Sequence, residues 1–208
     1  MFIALEGGEG CGKSTQAKLL GEALRQRGLT VDITREPGGT DGAEAIRDLL
    51  LDPTGEGWGA RAEALLFAAA RADHVERRIR PALERGEWVV CDRYLDSSRA
   101  YQGGAGGVGD QAVRDLHGIG SDGLLPDLTV LLTLPPEVAQ KRLAARDDGA
   151  ADAIGGRPPD YHARVAASFA AFAAAEPDRF AIVDGNAKPE QVHAAILRAI
   201  DRLAVTAR

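Results

Sequence analysis

The segment at residues 7–14 carries the clearest chemical signal in this chain. Its sequence is Gly-Gly-Glu-Gly-Cys-Gly-Lys-Ser, with Thr15 following, which satisfies the phosphate-loop pattern G-x-x-x-x-G-K-[ST]. Glycines let backbone N–H groups curl around a β-phosphate, and the N-terminus of the following helix adds positive potential. The pattern predicts an ATP site made of Gly7, Gly8, Glu9, Gly10, Cys11, Gly12, Lys13, Ser14 and Thr15.

Individual side chains in this loop, and at residues 92 and 93, have roles that their chemistry predicts. Lys13 is expected to reach the β- and γ-phosphates, and Ser14 to offer its hydroxyl to Mg²⁺. Asp92 and Arg93 follow the apolar residues 88–91, and ligands of open parallel sheets lie beyond the carboxyl ends of strands. We therefore predict Ser14 and Asp92 as Mg²⁺ ligands and Arg93 as a phosphate-binding residue. An ordinary surface ion pair is the alternative for Asp92 and Arg93.

The phosphate loop alone does not separate kinases from GTPases or motors. The chain has no Asn-Lys-x-Asp guanine motif, which disfavours a GTPase, and 208 residues leave no room for motor or transporter domains. A small phosphoryl-transfer enzyme fits best. Three alternatives remain: a kinase for another small molecule, a non-enzymatic ATP-dependent switch, and a catalytically dead nucleotide-binding protein.

Alternating strands and helices are predicted around these residues. The predicted strands are residues 2–5, 30–34, 88–91, 128–134 and 180–183. The predicted helices run from the loop to about 27, then over 43–51, 61–85, 136–146 and 189–203. Such βαβ units imply an α/β P-loop NTPase fold, with a doubly wound five-stranded parallel sheet flanked by helices. Pro81 is expected to shorten or kink helix 61–85.

The overall organisation is expected to be a single domain over residues 1–208. Two segments are expected to be surface loops close to the site. One is residues 103–109, which contain five glycines, and the other is a lid at about residues 147–159.

Composition limits the function classes. Hydrophobic residues make up 45% and charged residues 27% of the chain, as in ordinary globular proteins. The net charge of −6 argues against a nucleic-acid partner, which would leave a basic footprint. The apolar stretch 64–70 is too short to span a membrane. Two cysteines, Cys11 and Cys91, and an N-terminus without an export signal predict a cytoplasmic location.

Several segments together resemble the thymidylate kinase family. Residues 90–102, Val-Cys-Asp-Arg-Tyr-Leu-Asp-Ser-Ser-Arg-Ala-Tyr-Gln, resemble its signature segment. Residues 34–40, Thr-Arg-Glu-Pro-Gly-Gly-Thr, resemble a motif of the bacterial members, and residues 66–71 resemble the base-binding helix. Pro-Asp-Leu-Thr at residues 126–129 also matches, so the resemblance covers about residues 2–203. It implies transfer of the ATP γ-phosphoryl group to dTMP by a homodimer.

The resemblance also implies a substrate site, residue by residue. Phe67 would stack on the thymine ring, although core packing is its alternative, and Arg71 would bond the base edge. Arg93 and Arg47 would hold the acceptor phosphate, and Glu9 would approach the 3′-hydroxyl or the metal. The other implied pocket residues are Glu36, Pro37, Ser97, Ser98, Tyr101 and Gln102.

One position departs from the family pattern. Relatives with no basic residue at the position of Gly10 usually carry a lid arginine, and here Ala153 stands in its place. A cation on the transferring phosphoryl group contributes greatly to related reactions. Arg157 is the first candidate to replace it and Arg146 the second, whereas a solvated loop residue is the alternative for Arg157. The predicted catalytic residues are therefore Lys13, Arg93, Glu9 and Arg157.

Overall fold

The computed structural model of the protein describes residues 1–53, 55–146 and 153–206. In these residues one five-stranded sheet has the order β2-β3-β1-β4-β5, with all neighbouring strands parallel. The strands are β1 Phe2–Glu6, β2 Val31–Arg35, β3 Trp88–Asp92, β4 Leu128–Thr133 and β5 Phe180–Asp184. All five predicted strands are confirmed, as is the α/β P-loop NTPase fold class.

Both faces of the sheet are buried, which explains the apolar character of its central strands. Ile3 and Leu5 of β1 face a core shared with helices α1 (Lys13–Gln26) and α9 (Pro189–Thr206). Phe2 and Ala4 face the opposite core. Alternate residues of β1 therefore serve two layers of helices.

The remaining helices lie between and around the strands. They are α2 Asp41–Leu51, α3 Ala60–His74, α4 Arg80–Glu84, α5 Leu95–Ser98, α6 Asp110–Ser121, α7 Pro136–Arg146 and α8 Pro159–Ala175. The predicted helix 61–85 is divided into α3, a π-helical segment Val75–Ile79, and α4. Pro81 is the second residue of α4, just after the widened turn. Because proline has no N–H to donate, the hydrogen-bonding pattern changes at this place.

Three of the helices, α5, α6 and α8, were not predicted from the sequence, and the expectation of a loop at residues 103–109 is partly wrong. Residues 103–105 belong to a second π-helical segment, Arg99–Ala105, in which Gly103 is buried. A Cβ on Gly103 would lie 3.3 Å from the Gly109 carbonyl oxygen. The glycine thus lets α6 begin close against this segment.

The predicted lid is only partly described. Residues 147–152 lie outside the described part of the chain, whereas residues 153–158 form turns that lead into α8. The Ala153 N–H donates to the Leu51 carbonyl at 3.3 Å, so the end of the lid is joined to the end of α2. No helix in the described residues has the length and apolar character that a bilayer span requires.

Candidate active site

The phosphate loop joins β1 to α1 and depends on the backbone freedom of glycine. Gly7 has φ of 138°, and a Cβ there would lie 2.3 Å from the Leu132 carbonyl oxygen. Only glycine lets the loop pass so close to β4. Lys13, which is buried, donates from Nζ to the carbonyls of Gly8 at 2.8 Å and Gly7 at 3.1 Å. The lysine thus holds the loop in a curled shape from within.

The two predicted metal ligands lie against each other. Parallel pairing places Asp92 of β3 beside Leu5 of β1, and β1 leads into the loop. The Ser14 hydroxyl donates to Asp92 Oδ2 at 2.5 Å. Mg²⁺ prefers oxygen ligands and usually takes only one or two from protein, with waters and phosphates completing the set. The Ser14 hydroxyl and the Asp92 carboxylate supply two adjacent oxygens, so this pair fits an ion that phosphates and waters would also ligate.

Arg93 lies directly against the donor loop. Its Nη1 donates to the Gly7 carbonyl at 3.1 Å and to Ser97 Oγ at 3.0 Å. Its Nη2 forms an ion pair with Glu9 at 2.5 Å. The guanidinium carbon also lies 5.1 Å from the centroid of the Tyr101 ring. Four predicted site residues, Arg93, Glu9, Ser97 and Tyr101, therefore form one cluster.

Glu6 lies beneath this cluster, although it was not predicted as a site residue. It is the last residue of β1 and is fully buried. Its Oε1 accepts from the N–H groups of Tyr94 and Ser97, both at 2.9 Å, and its Oε2 accepts from Ser97 Oγ at 2.6 Å. Burial, together with the nearby Asp96, raises the pKa of Glu6 to about 7. The available signal was an acidic residue at the end of a buried apolar strand.

The predicted base-binding arginine is part of a buried polar cluster. Arg71 is 3% exposed; its Nε pairs with Glu36 at 2.7 Å and its Nη2 donates to Ser98 Oγ at 2.8 Å. The other oxygen of Glu36 bonds His74 Nδ1 at 3.0 Å, and His74 Nε2 lies 2.7 Å from Thr34 Oγ1. Arg71 is therefore held by two other residues of the predicted pocket, and His74, which was not predicted, supports Glu36 from behind.

One cavity of about 560 Å³ joins the donor and acceptor residues. This volume is ordinary for a small-molecule site. The predicted residues along its wall are Glu9, Gly10, Gly12, Lys13, Ser14, Thr15, Glu36, Pro37, Arg47, Phe67, Arg71, Asp92, Arg93, Ser97, Ser98, Tyr101 and Gln102. The cavity wall also contains five residues that were not predicted as site residues: Arg35, Leu51, Tyr94, Arg142 and Ile154.

Phe67 and Arg47 both reach this cavity. Phe67 lines the wall while it also packs, partly buried, against the core that contains Tyr101. Stacking on a ligand and core packing, the two interpretations of Phe67, are therefore compatible. Arg47 donates from Nη1 to the Pro37 carbonyl at 2.7 Å, which ties α2 to the segment after β2.

Among the described residues, four predicted site residues are not part of the cavity wall. Gly7, Gly8 and Cys11 form the body of the loop behind it. Arg157 makes an ion pair with Glu63 and donates to the Tyr161 hydroxyl at 2.5 Å. In this conformation the buried carboxylate of Glu63 holds Arg157 away from the cavity wall, and the catalytic role of Arg157 stays a prediction.

Two further arginines, Arg142 and Arg146, lie on α7, the helix that leads into the lid. The side chain of Arg146 lies outside the described residues. Arg142, which was not predicted, lines the cavity and donates to the Gly185 carbonyl at 3.1 Å. In the sequence, the position of Arg142 on the predicted helix 136–146, just before the lid, could have indicated that it reaches the site. A cation thus stands beside the phosphate loop without any lid movement.

The fold and the site together define a class. A phosphate loop after the central strand β1, faced by an arginine after β3 inside the same cavity, is the arrangement of a P-loop phosphotransferase. The sequence model of the family described as thymidylate kinase matches residues 5–196. This chain belongs to the thymidylate kinase family. Membership makes it an ATP:dTMP phosphotransferase, a nucleoside monophosphate kinase.

Individual relatives agree over nearly the whole chain. A thymidylate kinase of Rhizorhabdus wittichii is 59% identical, with 96% of each chain covered. One of Clavibacter sepedonicus is 53% identical over 96% of this chain and 93% of its own. The crystal structure of a thymidylate kinase from Ehrlichia chaffeensis has a TM-score of 0.78 and 30% identity, and covers 96% of this chain and 98% of that one.

Proposed function

We propose that this chain transfers the γ-phosphoryl group of Mg-ATP to dTMP in the cytoplasm, with the predicted site residues in the roles given below. The observation that carries this proposal is the position of Arg93. It bonds the donor loop at Gly7 and Glu9 and the acceptor segment at Ser97, inside a single cavity. An acceptor phosphate held by Arg93 would therefore meet the end of a triphosphate held by the loop.

The donor half would be formed by residues 7–15. Backbone N–H groups of the loop and the N-terminus of α1 would hold the phosphates, with Lys13 exchanging its loop carbonyls for phosphate oxygens. Ser14 and Asp92 would hold Mg²⁺. The ion, when bound, supplies positive charge that neutralises the phosphate oxygens.

The acceptor half would be formed by side chains on several elements. Arg93 and Arg47 would hold the dTMP phosphate, Phe67 would stack on the thymine, and Arg71 would bond the base edge. Glu9 would approach the 3′-hydroxyl or the metal. The remaining pocket residues would be Glu36, Pro37, Ser97, Ser98, Tyr101 and Gln102.

Transfer would be direct and in line, without a covalent enzyme intermediate. The nucleophile is already an anionic phosphate oxygen, so that no general base is required. Catalysis would come from positioning and from the charges of Lys13, Arg93 and Arg157, with Glu9 orienting the acceptor. Arg157 would have to leave Glu63 when the lid, residues 147–159 of this single domain, closes and excludes water.

The active form would be a homodimer, without nucleic-acid or membrane partners. Helices α3 and α6 pack closely at Gly120, where an added Cβ would lie 3.3 Å from Ala72 Cβ. Each helix exposes a large apolar side chain, Leu65 at 55% and Ile119 at 86%. Burial of such residues between two copies would be favourable.

The test is a coupled assay in which purified protein with Mg²⁺ and ATP is offered dTMP, dUMP, dCMP and dAMP. We expect dTDP to be the main product, and Lys13→Ala to abolish its formation. If dTMP gave no product while another acceptor reacted readily, the acceptor assignment would be wrong. If no acceptor reacted at all, a nucleotide-binding protein without activity would be the better description.

A further inference from the structure

The fully buried Glu6 bonds the segment that follows Arg93. A buried carboxylate is costly unless it is well hydrogen-bonded. Its described hydrogen bonds come from Tyr94 and Ser97, in the first turn after Arg93, although Glu6 itself directly precedes the phosphate loop. The residue therefore joins the start of the donor loop to the start of the acceptor segment.

The backbone at Arg93 is held in an unfavourable conformation by the same strand. Arg93 has φ of 68°, a left-handed conformation that costs a non-glycine residue about 1–2 kcal/mol. The Arg93 N–H donates to the Leu5 carbonyl, and the Tyr94 N–H donates to Glu6 Oε1, both at 2.9 Å. Consecutive residues of β1 thus hold the peptide groups on both sides of Arg93.

The side chain of Arg93 is oriented through Ser97. The Ser97 hydroxyl has one hydrogen, which it donates to Glu6 Oε2 at 2.6 Å. Its lone pairs are then available to Arg93, whose Nη1 donates to Ser97 Oγ at 3.0 Å. The carboxylate of Glu6 therefore sets both the backbone and the side-chain direction of Arg93.

We infer that Glu6 is a positioning residue for phosphoryl transfer. It holds the Arg93 guanidinium against the donor loop, so that the acceptor phosphate is presented in line with the bound triphosphate. Glu6 does not line the substrate cavity and acts only through Arg93 and Ser97. The inference rests on the proposed role of Arg93 as the acceptor-phosphate ligand.

Glu6→Gln tests this inference, because it keeps the side-chain length and one acceptor oxygen but removes the charge. Asp127→Asn is the matched control, since Asp127 Oδ2 accepts from the Phe2 N–H at 2.6 Å at the opposite end of β1. Both variants remove a carboxylate that bonds a backbone N–H, but only Glu6 is near Arg93. The measurements are kcat, KM for dTMP, Kd for a non-hydrolysable ATP analogue, and Tm, at pH 8.5.

We expect Glu6→Gln to lower kcat about 10- to 100-fold, the loss typical of a misplaced catalytic group. Its Kd for the ATP analogue should change less than about twofold, because the donor loop is held by Lys13 and by glycine geometry. Asp127→Asn should leave kcat unchanged, and the only effect expected of it is a lower Tm. If Glu6→Gln does not fold, Glu6→Asp carries the same prediction, because its shorter side chain cannot reach both Tyr94 and Ser97.

A double-mutant cycle separates positioning from general stability. The effects of Glu6→Gln and Ser97→Ala on kcat should be strongly non-additive, since both break the same connection to Arg93. Three results would overturn the positioning role of Glu6 and leave the proposed function intact. They are an unchanged kcat in Glu6→Gln, equal kcat losses in Glu6→Gln and Asp127→Asn, and additive effects in the cycle. Absence of dTDP formation by the wild-type protein would overturn the proposed function and, with it, this inference.

Discussion

The donor and acceptor halves of the cavity are built in different ways. The donor half is one continuous segment, residues 7–15, and Lys13 holds it by bonds to carbonyls five and six residues away. The acceptor half is assembled from side chains on separate elements. Its bonds join residues far apart in the chain: Arg71 and Glu36 are 35 positions apart, and Arg93 and Glu9 are 84 apart.

Each half is therefore sensitive to a different kind of substitution. The donor loop depends on backbone conformation, so its sensitive positions are the glycines and Lys13 within it. The acceptor half depends on buried hydrogen bonds, which are costly to leave unsatisfied. Its sensitive positions therefore include residues one layer behind the cavity, such as Glu6 and His74.

The largest effect is expected where the two halves meet. Arg93→Ala should lower kcat by about 10³-fold or more, because it removes a cation from the acceptor phosphate. Binding of an ATP analogue should remain close to normal, as measured by calorimetry. Arg77→Ala is the control, since the Arg77 side chain is 71% exposed and pairs only at the surface with Asp73. Near-normal turnover of Arg93→Ala would end its assignment to the acceptor phosphate.

A backbone change should break the donor half selectively. Gly7→Ala would place a Cβ 2.3 Å from the Leu132 carbonyl at φ of 138°, which the loop can relieve only by moving. We expect affinity for the ATP analogue to fall by about 10²-fold, because the displaced loop would lose about two hydrogen bonds to the phosphates, worth about 1.5 kcal/mol each. In Gly59→Ala, where an added Cβ meets nothing within 4 Å, affinity should not change. Normal affinity in Gly7→Ala would show that this loop tolerates a shift away from β4.

Substitution of the lid residue Arg157 should have a smaller effect, mainly on kcat. Arg157→Ala should lower kcat by about tenfold and raise KM less, as for a group that acts mainly in the transition state. Glu63→Gln is the companion variant, because it breaks the ion pair between Glu63 and Arg157 but keeps the arginine. Its kcat should therefore not show the loss expected for Arg157→Ala. Steady-state kinetics with both substrates varied provides the measurement. An unchanged kcat in Arg157→Ala would transfer the role to Arg146 or to Arg142.

The last expected effect is on stability rather than catalysis, and it concerns the junction of the halves. Burial raises the pKa of Glu6 from 4.5 to about 7, so the folded state binds a proton more tightly than the unfolded state. The stability contributed by Glu6 is therefore greatest below pH 4.5 and is lost as the pH rises through about 7. Each pKa unit corresponds to about 1.4 kcal/mol. Relative to Glu6→Gln, the wild type should gain about 2–3 kcal/mol in unfolding free energy between pH 8 and pH 4.5.

Denaturant unfolding of both proteins across this pH range gives the difference. Other titrating groups, including His117, whose burial lowers its pKa to about 4, cancel when the two proteins are compared. A difference that stays flat from pH 8 to pH 4.5 would mean that Glu6 titrates with the same pKa in the folded and unfolded states.

The fold was predictable where local signals are strong. The strands were found because segments buried on both faces are continuously apolar, and each end differs from the prediction by no more than one residue. Helix α6 was missed because Gly118 and Gly120 weaken its local signal, and it is held by packing against α3 and the second π-helical segment. The glycines at residues 103–105 were placed in a loop for the same reason.

The donor half could be predicted from the amino-acid sequence alone, because a phosphate loop is a local structure whose glycines, lysine and serine act within nine residues. The sequence also indicated most of the acceptor residues, through the resemblance of its motifs. Three contacts could be found only in the folded chain: Glu6 lies beneath Arg93, His74 holds Glu36, and Arg157 pairs with Glu63. These partners are distant in the chain, and parallel strand pairing and helix packing bring together charges that no local pattern connects.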